Sequence, residues 1–542
     1  MSRTKVIILA LLALVWVCNR PLHAAAADPG SGNAGAQQAA SSSQKDAEGA
    51  VPVFKVATRM VLVDAVVTDK SGKPVAGLKP ADFEVFENGK KQEIRAFGAT
   101  TAQSGPAVAP RTLPSDLFTN TVELQPQEGP PVILLIDALN TPWADQVYGR
   151  EQLVKYLSGH KAQRNIAIYV LGNRLQLLQD FTEDPALVRQ AVLEKGLNPN
   201  HLDPNATSNT LNQQLIEMEK TVTNSSRDIA TISTLEALNS IARHAAAVPG
   251  RKQLLWLSSG FPLDLDTVKT SIYYQQMTET ANLLTDAQVA VYPVDVRGLV
   301  AFFPREMSSG MARLTSAHLT MDELALKTGG LAFYGHNDIS RLVDRAVADG
   351  ATYYVLGYYP TNKDWNGDFR SIQVKLHSPE LKVRSRKGYF AINTSSASES
   401  KMKAERSEFL KALAPDALSA GMLPMFVQVI PPTKEHSQVF LEVRVDPRSV
   451  IFDAGPDNHR QGELEVFTAV LDSKGKFVTN KLDTLKTNLP PDTFAKVMAS
   501  SLAVRQEFDL SPGKYLLKVG ARDVKSNLFG TVTAEVDVPA QN

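Results

Sequence analysis

The stretch PVILLIDALNT, residues Pro131 to Thr141, decides how the rest of the chain is read. An apolar run from Val132 to Ile136 enters from a proline-rich loop and ends on Asp137. Such a run predicts a strand buried on both faces, as at the centre of a parallel sheet. Open α/β sheets gather their binding groups at the carboxyl ends of such strands. Asp137 is therefore expected at a binding edge.

Downstream, apolar residues at helical spacing in 145–157 predict a helix, and 165–171 a second buried strand. Gly172-Asn173 turns that strand into 175–181, which alternates like an edge strand running the other way. Thr182-Glu183-Asp184-Pro185 is a helix start, with the helix reaching about residue 194. Helices are expected at 234–247, 271–288, 322–328 and 339–348, and buried strands within 251–260 and at 289–295. In the polar segment 198–227, Leu211, Leu215 and Met218 share a helix face, read as a packed helix or as a partner-binding arm. Strands alternating with helices predict a doubly wound α/β domain over residues 126–350.

On either side the period changes to two. Val61, Val63, Ala65 and Val67 alternate toward a turn at Asp69-Lys70-Ser71-Gly72, and Asn88-Gly89 joins 83–86 to 92–97 as a tight hairpin. Three more strands are expected at 352–359, 369–376 and 381–389. Segments 51–100 and 351–393 are each too short to close two sheets, so they are expected to share one β-sandwich into which the α/β domain is inserted. Residues 100–129 read as a polar, proline-bearing connector and 394–403 as a serine-rich linker. Residues 404–542 are expected to hold a short helix and an immunoglobulin-like β-sandwich, with strands at 426–430, 439–445, 462–471, 505–510, 515–523 and 530–538.

The 542-residue chain is too long for one core, and its 57 basic and 57 acidic residues cancel. That balance offers no electrostatic case for nucleic acid. Residues 1–27 read as an export signal: Arg3 and Lys5, an apolar core from Val6 to Cys18, then small residues suited to cleavage. Cys18 is the only cysteine and would leave with that segment, so no disulfide or thiolate metal site is expected. Val15-Trp16-Val17 lacks the small residue expected ahead of a lipid-modified cysteine. No second apolar stretch is long enough to span a membrane, so the protein is expected in the periplasm, at the cell surface or outside the cell, and not as an integral membrane protein. Residues 28–50 are Ala, Gly, Ser and Gln with few large apolar groups and read as a disordered leader. Within it, Gly30 to Gly35 matches G-x-G-x-x-G in letters only, since no strand precedes it and no helix follows.

The α/β segment resembles a von Willebrand factor type A domain. Its surroundings resemble the secreted family described as acidobacterial VWFA-related proteins, through VVTDKSGKPVAGLKPADFEVFENGKKQEI, VILLIDALNT, IAIYVLGNRLQLLQDFT, VAVYPVDVRG, YYVLGYYP and RSRKGYF. The resemblance implies an adhesion site that holds Mg²⁺ or another divalent cation through D-x-S-x-S, a threonine from a second loop and a later aspartate. Asp137 matches the first aspartate and Thr141 the second serine, with Leu139 at the first serine. Thr231 or Thr234 stands for the threonine, and Ser258-Ser259 occupies the place of the later aspartate. A leucine cannot coordinate and a serine carries no charge, so the implied site is degenerate at Leu139 and Ser259. Alternatively, Asp137 and Asn140 cap the following helix or tie down loops.

Other chemistry is sparse. Asp295 ends a strand and is expected to hydrogen-bond the Arg297-Gly298 loop, and Asp364 to Asp368 reads as a hairpin turn because its glycine falls too early for a calcium loop. There is no H-E-x-x-H, phosphate loop or nucleophile elbow. The sequence therefore points to an exported, non-enzymatic protein-interaction or adhesion module, with Asn140 and Trp143 as partner contacts and another protein or a surface ligand as partner. A secreted hydrolase with an unrecognised acid-based site and a structural component of a surface assembly are the alternatives.

Overall fold

The computed structural model describes residues 60–100, 113–122, 124, 130–159, 165–195, 215–261, 272–298, 307–336, 338–391, 399–433 and 438–539. The export signal, the leader with Gly30 to Gly35, Leu211 and much of the expected connector lie outside these.

At the centre is a five-stranded sheet in the order Val289–Asp295, Lys252–Ser258, Val132–Asp137, Ile166–Leu171, Leu175–Thr182. The first four strands are parallel and the last is an antiparallel edge. Every residue of Val132–Asp137 is buried, because helices cover both faces. Val132, Leu134 and Ile136 pack with Leu153, Tyr156, Val343 and Val347 on one side. Ile133 and Leu135 pack with Leu238, Ile241, Met277 and Leu284 on the other. Apolar residues on both sides of one strand explain the unbroken run in the sequence.

The segments before and after this unit are paired with each other. Val61–Thr68 runs antiparallel to Tyr353–Tyr358, and Phe83–Glu87 to Phe369–Leu376, building two four-stranded sheets around one core. A single strand over 381–389 does not form. Lys382–Ser385 and Gly388–Phe390 belong to opposite sheets, and the chain crosses between them at Arg386, whose buried guanidinium donates to the Leu62 carbonyl at 2.7 Å.

The C-terminal residues form two further sheets around a shared core, preceded by the helix Glu399–Lys411. Phe477–Leu489 and the helix Pro491–Met498 are additional to the expected elements. Part of the expected connector is also structured: Leu117–Thr119 adds an antiparallel strand beside Met425–Ile430 in the C-terminal unit. The chain thus touches the C-terminal unit before it builds the central sheet. The helix expected at 322–328 is the end of a longer one, Met307–Thr328. Among the described residues no helix is long and apolar enough to cross a membrane.

Candidate functional site at the carboxyl edge of the central sheet

Parallel registration brings Asp137, Ser258 and Asp295 to one edge: Asp295 lies opposite Ser258, and Leu257 opposite Ile136. The loop after Asp137 is anchored at each residue. Ala138 and Leu139 both donate backbone N–H groups to the Leu171 carbonyl, at 2.8 and 2.9 Å. Gln146, buried in the helix Trp143–Gly159, donates its amide to the carbonyls of Ala138 and Thr141 at 3.0 and 2.6 Å.

Asp137 is 1% exposed. Its Oδ1 accepts the Asn140 backbone N–H at 3.0 Å. Its Oδ2 accepts Asn140 Nδ2 at 2.9 Å, Trp256 Nε1 at 3.0 Å and Ser258 Oγ at 2.9 Å. Burial pushes the carboxyl above its ordinary range, and these donors work in the opposite direction. Asn140 Nδ2 also donates to Thr234 Oγ1 at 2.9 Å, and Thr234, fully buried, donates to the Ala230 carbonyl at 2.8 Å. Thr141 Oγ1 accepts the Ser259 backbone N–H at 3.1 Å, while Ser259 Oγ donates to Asp145 Oδ2 at 3.1 Å. Leu139 is partly buried and packs against the core that contains Trp256. Trp143 opens the next helix with 43% of its surface exposed, and Val147, one turn on, is 39% exposed.

The residues singled out in the sequence are therefore brought together, in a pattern that does not suit a cation. A hard cation needs several free oxygen ligands. Here Oδ2 of Asp137 already accepts three donors, the Thr234 hydroxyl both accepts and donates, and the carboxylate of Asp295 is held by Arg297 and His318. Among the described residues no three His, Cys, Asp or Glu side chains are grouped as metal ligands would be.

Asp295 accepts from the backbone N–H and guanidinium of Arg297, at 2.8 to 2.9 Å, and from His318 Nε2 at 2.9 Å. Burial raises its carboxyl, but these bonds outweigh burial and leave it below the ordinary range. His318 stacks on Tyr334 with ring centroids 4.1 Å apart, and Tyr334 donates to Asp322 at 3.3 Å. The 364–368 turn is held from beneath by Arg370, whose guanidinium donates to the carbonyls of Asn362 and Asp364 at 2.9 and 2.5 Å. Trp256, Gln146 and His318 were not found from sequence. Only Trp256 left a trace there, as an aromatic inside a buried strand next to the serine pair.

No family model matches the chain, and no curated protein matches it. Among solved structures, an aerotolerance-related membrane protein from Bacteroides fragilis NCTC 9343, with multiple mutations to serines, aligns at 12% identity. The alignment covers 40% of this chain and 98% of that one, at a TM-score of 0.26. The conserved hypothetical protein BatB from Bacteroides thetaiotaomicron aligns at 12% identity over 40% and 98%, with a TM-score of 0.21. Proximal thread matrix protein 1 from the mussel byssus, in a form with a zinc-occupied MIDAS motif, aligns at 11% identity over 42% and 47%, with a TM-score of 0.24. Likenesses this slight carry no argument about the chemistry of this chain.

Proposed function

We propose that this chain is an exported, non-enzymatic protein-interaction or adhesion module. It is built on a doubly wound domain resembling von Willebrand factor type A, with a degenerate cation site. The β-rich units, the last of them immunoglobulin-like, act as spacers that carry the binding edge. One observation supports this reading above the others: the edge carboxylate Asp137 is spent on internal hydrogen bonds, while the adjoining helix turns Trp143 and Val147 outward. A buried carboxylate with its acceptor capacity used is poorly placed to move a proton or attack a substrate. An exposed aromatic beside an aliphatic residue at i and i+4 is the composition of an interface anchor.

The test is affinity capture from the native envelope on the immobilised full chain, with and without chelator, beside the double variant Trp143→Ala, Val147→Ala. A ligand retained by the wild type regardless of chelator, and reduced about tenfold on the variant, supports the reading. Equal retention by both proteins rejects this face as the binding surface. Turnover of an ester, glycoside or peptide probe that disappears in Asp137→Asn would move the assignment to a hydrolase.

A further inference from the structure

We infer that the hydrogen-bond donors around Asp137 occupy the role of a divalent cation, so that the loop at 138–141 is held in one state whatever the cation concentration. The inference rests on reading this edge as the binding face, and it concerns how that face is controlled.

The donors come from two directions. Asn140 supplies its backbone N–H and its side-chain amide from within the loop, and Trp256 and Ser258 supply an indole and a hydroxyl from the neighbouring strand. An indole N–H donates and cannot accept, so Trp256 could not turn to serve a cation as a ligand. The ring is also fixed: Trp256 is fully buried and meets Phe261 edge-on, with centroids 5.7 Å apart. A cation approaching Oδ2 would meet the Asn140 amide and Trp256 indole hydrogens, with the Ser258 hydroxyl beside them at 2.9 Å from both Oδ2 and the Gly260 carbonyl. Displacing them would strand buried donors, which costs more than their hydrogen bonds contribute.

The same contacts tie the loop to its surroundings. Asn140 reaches Thr234 on the helix Leu215–Ala245, Thr141 receives the Ser259 backbone, and Ala138 and Leu139 share the Leu171 carbonyl. Leu139, at a position where the resemblance implies a ligand, adds apolar packing instead. Partner binding at this edge is therefore constitutive rather than switched by a cation, with Trp256 and Ser258 as positioning residues.

Two measurements on the full chain decide this. In a Mn²⁺ titration followed by electron paramagnetic resonance, wild type and Asp137→Asn should take up the same amount of ion. Uptake by wild type that is lost in Asp137→Asn overturns the inference. In hydrogen–deuterium exchange, the 138–141 amides should exchange equally in Mg²⁺ and in chelator. Trp256→Phe should speed them about tenfold without changing the Val289–Asp295 strand. Ser258→Ala, which removes a second donor to the same oxygen at little packing cost, should act in the same direction. Slower wild-type exchange in Mg²⁺, or no acceleration in either variant, overturns the inference. Neither readout uses a partner, so a failed capture experiment and a failed lock remain distinguishable.

Discussion

Met425 donates its backbone N–H to the side-chain oxygen of Asn120 at 2.9 Å, although 305 positions separate them. The Asn120 amide nitrogen completes the link by donating to the carbonyls of Ala420 and Leu423, at 2.7 and 2.9 Å. Asn120 is buried, so Asn120→Ala would strand the Met425 N–H and take a donor from the Leu423 carbonyl, while the Ala420 carbonyl keeps the Thr531 N–H at 2.9 Å. We expect a loss of about 2–4 kcal/mol in urea-induced unfolding, since each stranded buried group costs roughly 1–3 kcal/mol and a small cavity admits some water. A loss below about 0.5 kcal/mol, the scale of an ordinary surface change, would show that the short strand Leu117–Thr119 holds without this clamp.

Gly421 seals the same junction from the other side. Its N–H donates to the Arg243 carbonyl at 2.8 Å, and a Cβ at this position would fall on the backbone of Ala247. Backbone cannot yield as a flexible side chain can, so Gly421→Ala must push the C-terminal unit off the end of the helix Leu215–Ala245. Limited proteolysis should then cut near residues 414–424 faster than in wild type, with about 1–3 kcal/mol lost in stability. An unchanged digestion pattern would argue against this close contact.

A buried carboxylate organises the unit built from the two flanking segments. Glu87 accepts the hydroxyls of Tyr358 and Tyr389 at 2.7 and 2.8 Å and faces Arg370 at 3.4 Å. Burial of the two phenols, and then the charge and acceptance of Glu87, push both well above their ordinary range. Removing the charge with Glu87→Gln leaves the buried Arg370 guanidinium without its carboxylate, though not without its carbonyl acceptors, and about 3 kcal/mol should be lost. Tyr358→Phe alone should cost about 1 kcal/mol. Because the two tyrosines share one acceptor, the double variant with Tyr389→Phe should depart from additivity by at least about 0.5 kcal/mol in a thermodynamic cycle. Strict additivity would mean that Glu87 does not couple them.

How much of this was legible in the sequence follows from the range over which each contact acts. The strand Val132–Asp137 was readable because burial on both faces writes an unbroken apolar run into adjacent residues. The bond between Asp295 and the Arg297 loop was readable because it spans two positions. Leu117–Thr119 was not, since three residues carry no period and their partner strand lies some three hundred positions away. Phe477–Leu489 was missed because it pairs with one neighbour and is mostly half-exposed, so polar residues interrupt its alternation. The site divides in the same way. Asp137, Asn140 and Thr141 sit together in the chain, whereas Trp256 reaches Asp137 from 119 positions away and shows no polar signature in a buried run.

Lys252 gives the pH prediction. It is 1% exposed, its Nζ donates to the Val248 carbonyl at 2.6 Å, and burial pulls its ammonium down to about 7, with Asp64 resisting. The unfolded chain holds that proton until near the ordinary 10.5. Between these values the unfolded state binds more protons, so this residue makes stability rise with pH across the window from about 7 to 10.5, and its penalty is complete below about 7. A difference of about 3.5 pH units corresponds to a penalty on the order of 5 kcal/mol. Lys252→Met removes the charge while keeping most of the volume, but it leaves the Val248 carbonyl without its donor, which costs about 1 kcal/mol. The variant should therefore be the more stable protein near pH 6, by roughly 4 kcal/mol, and should lose that advantage by about pH 10. Urea unfolding of both proteins at the two pH values checks it, because other titrating groups cancel in the difference. A difference that stays constant with pH would show that Lys252 keeps its proton in the folded protein.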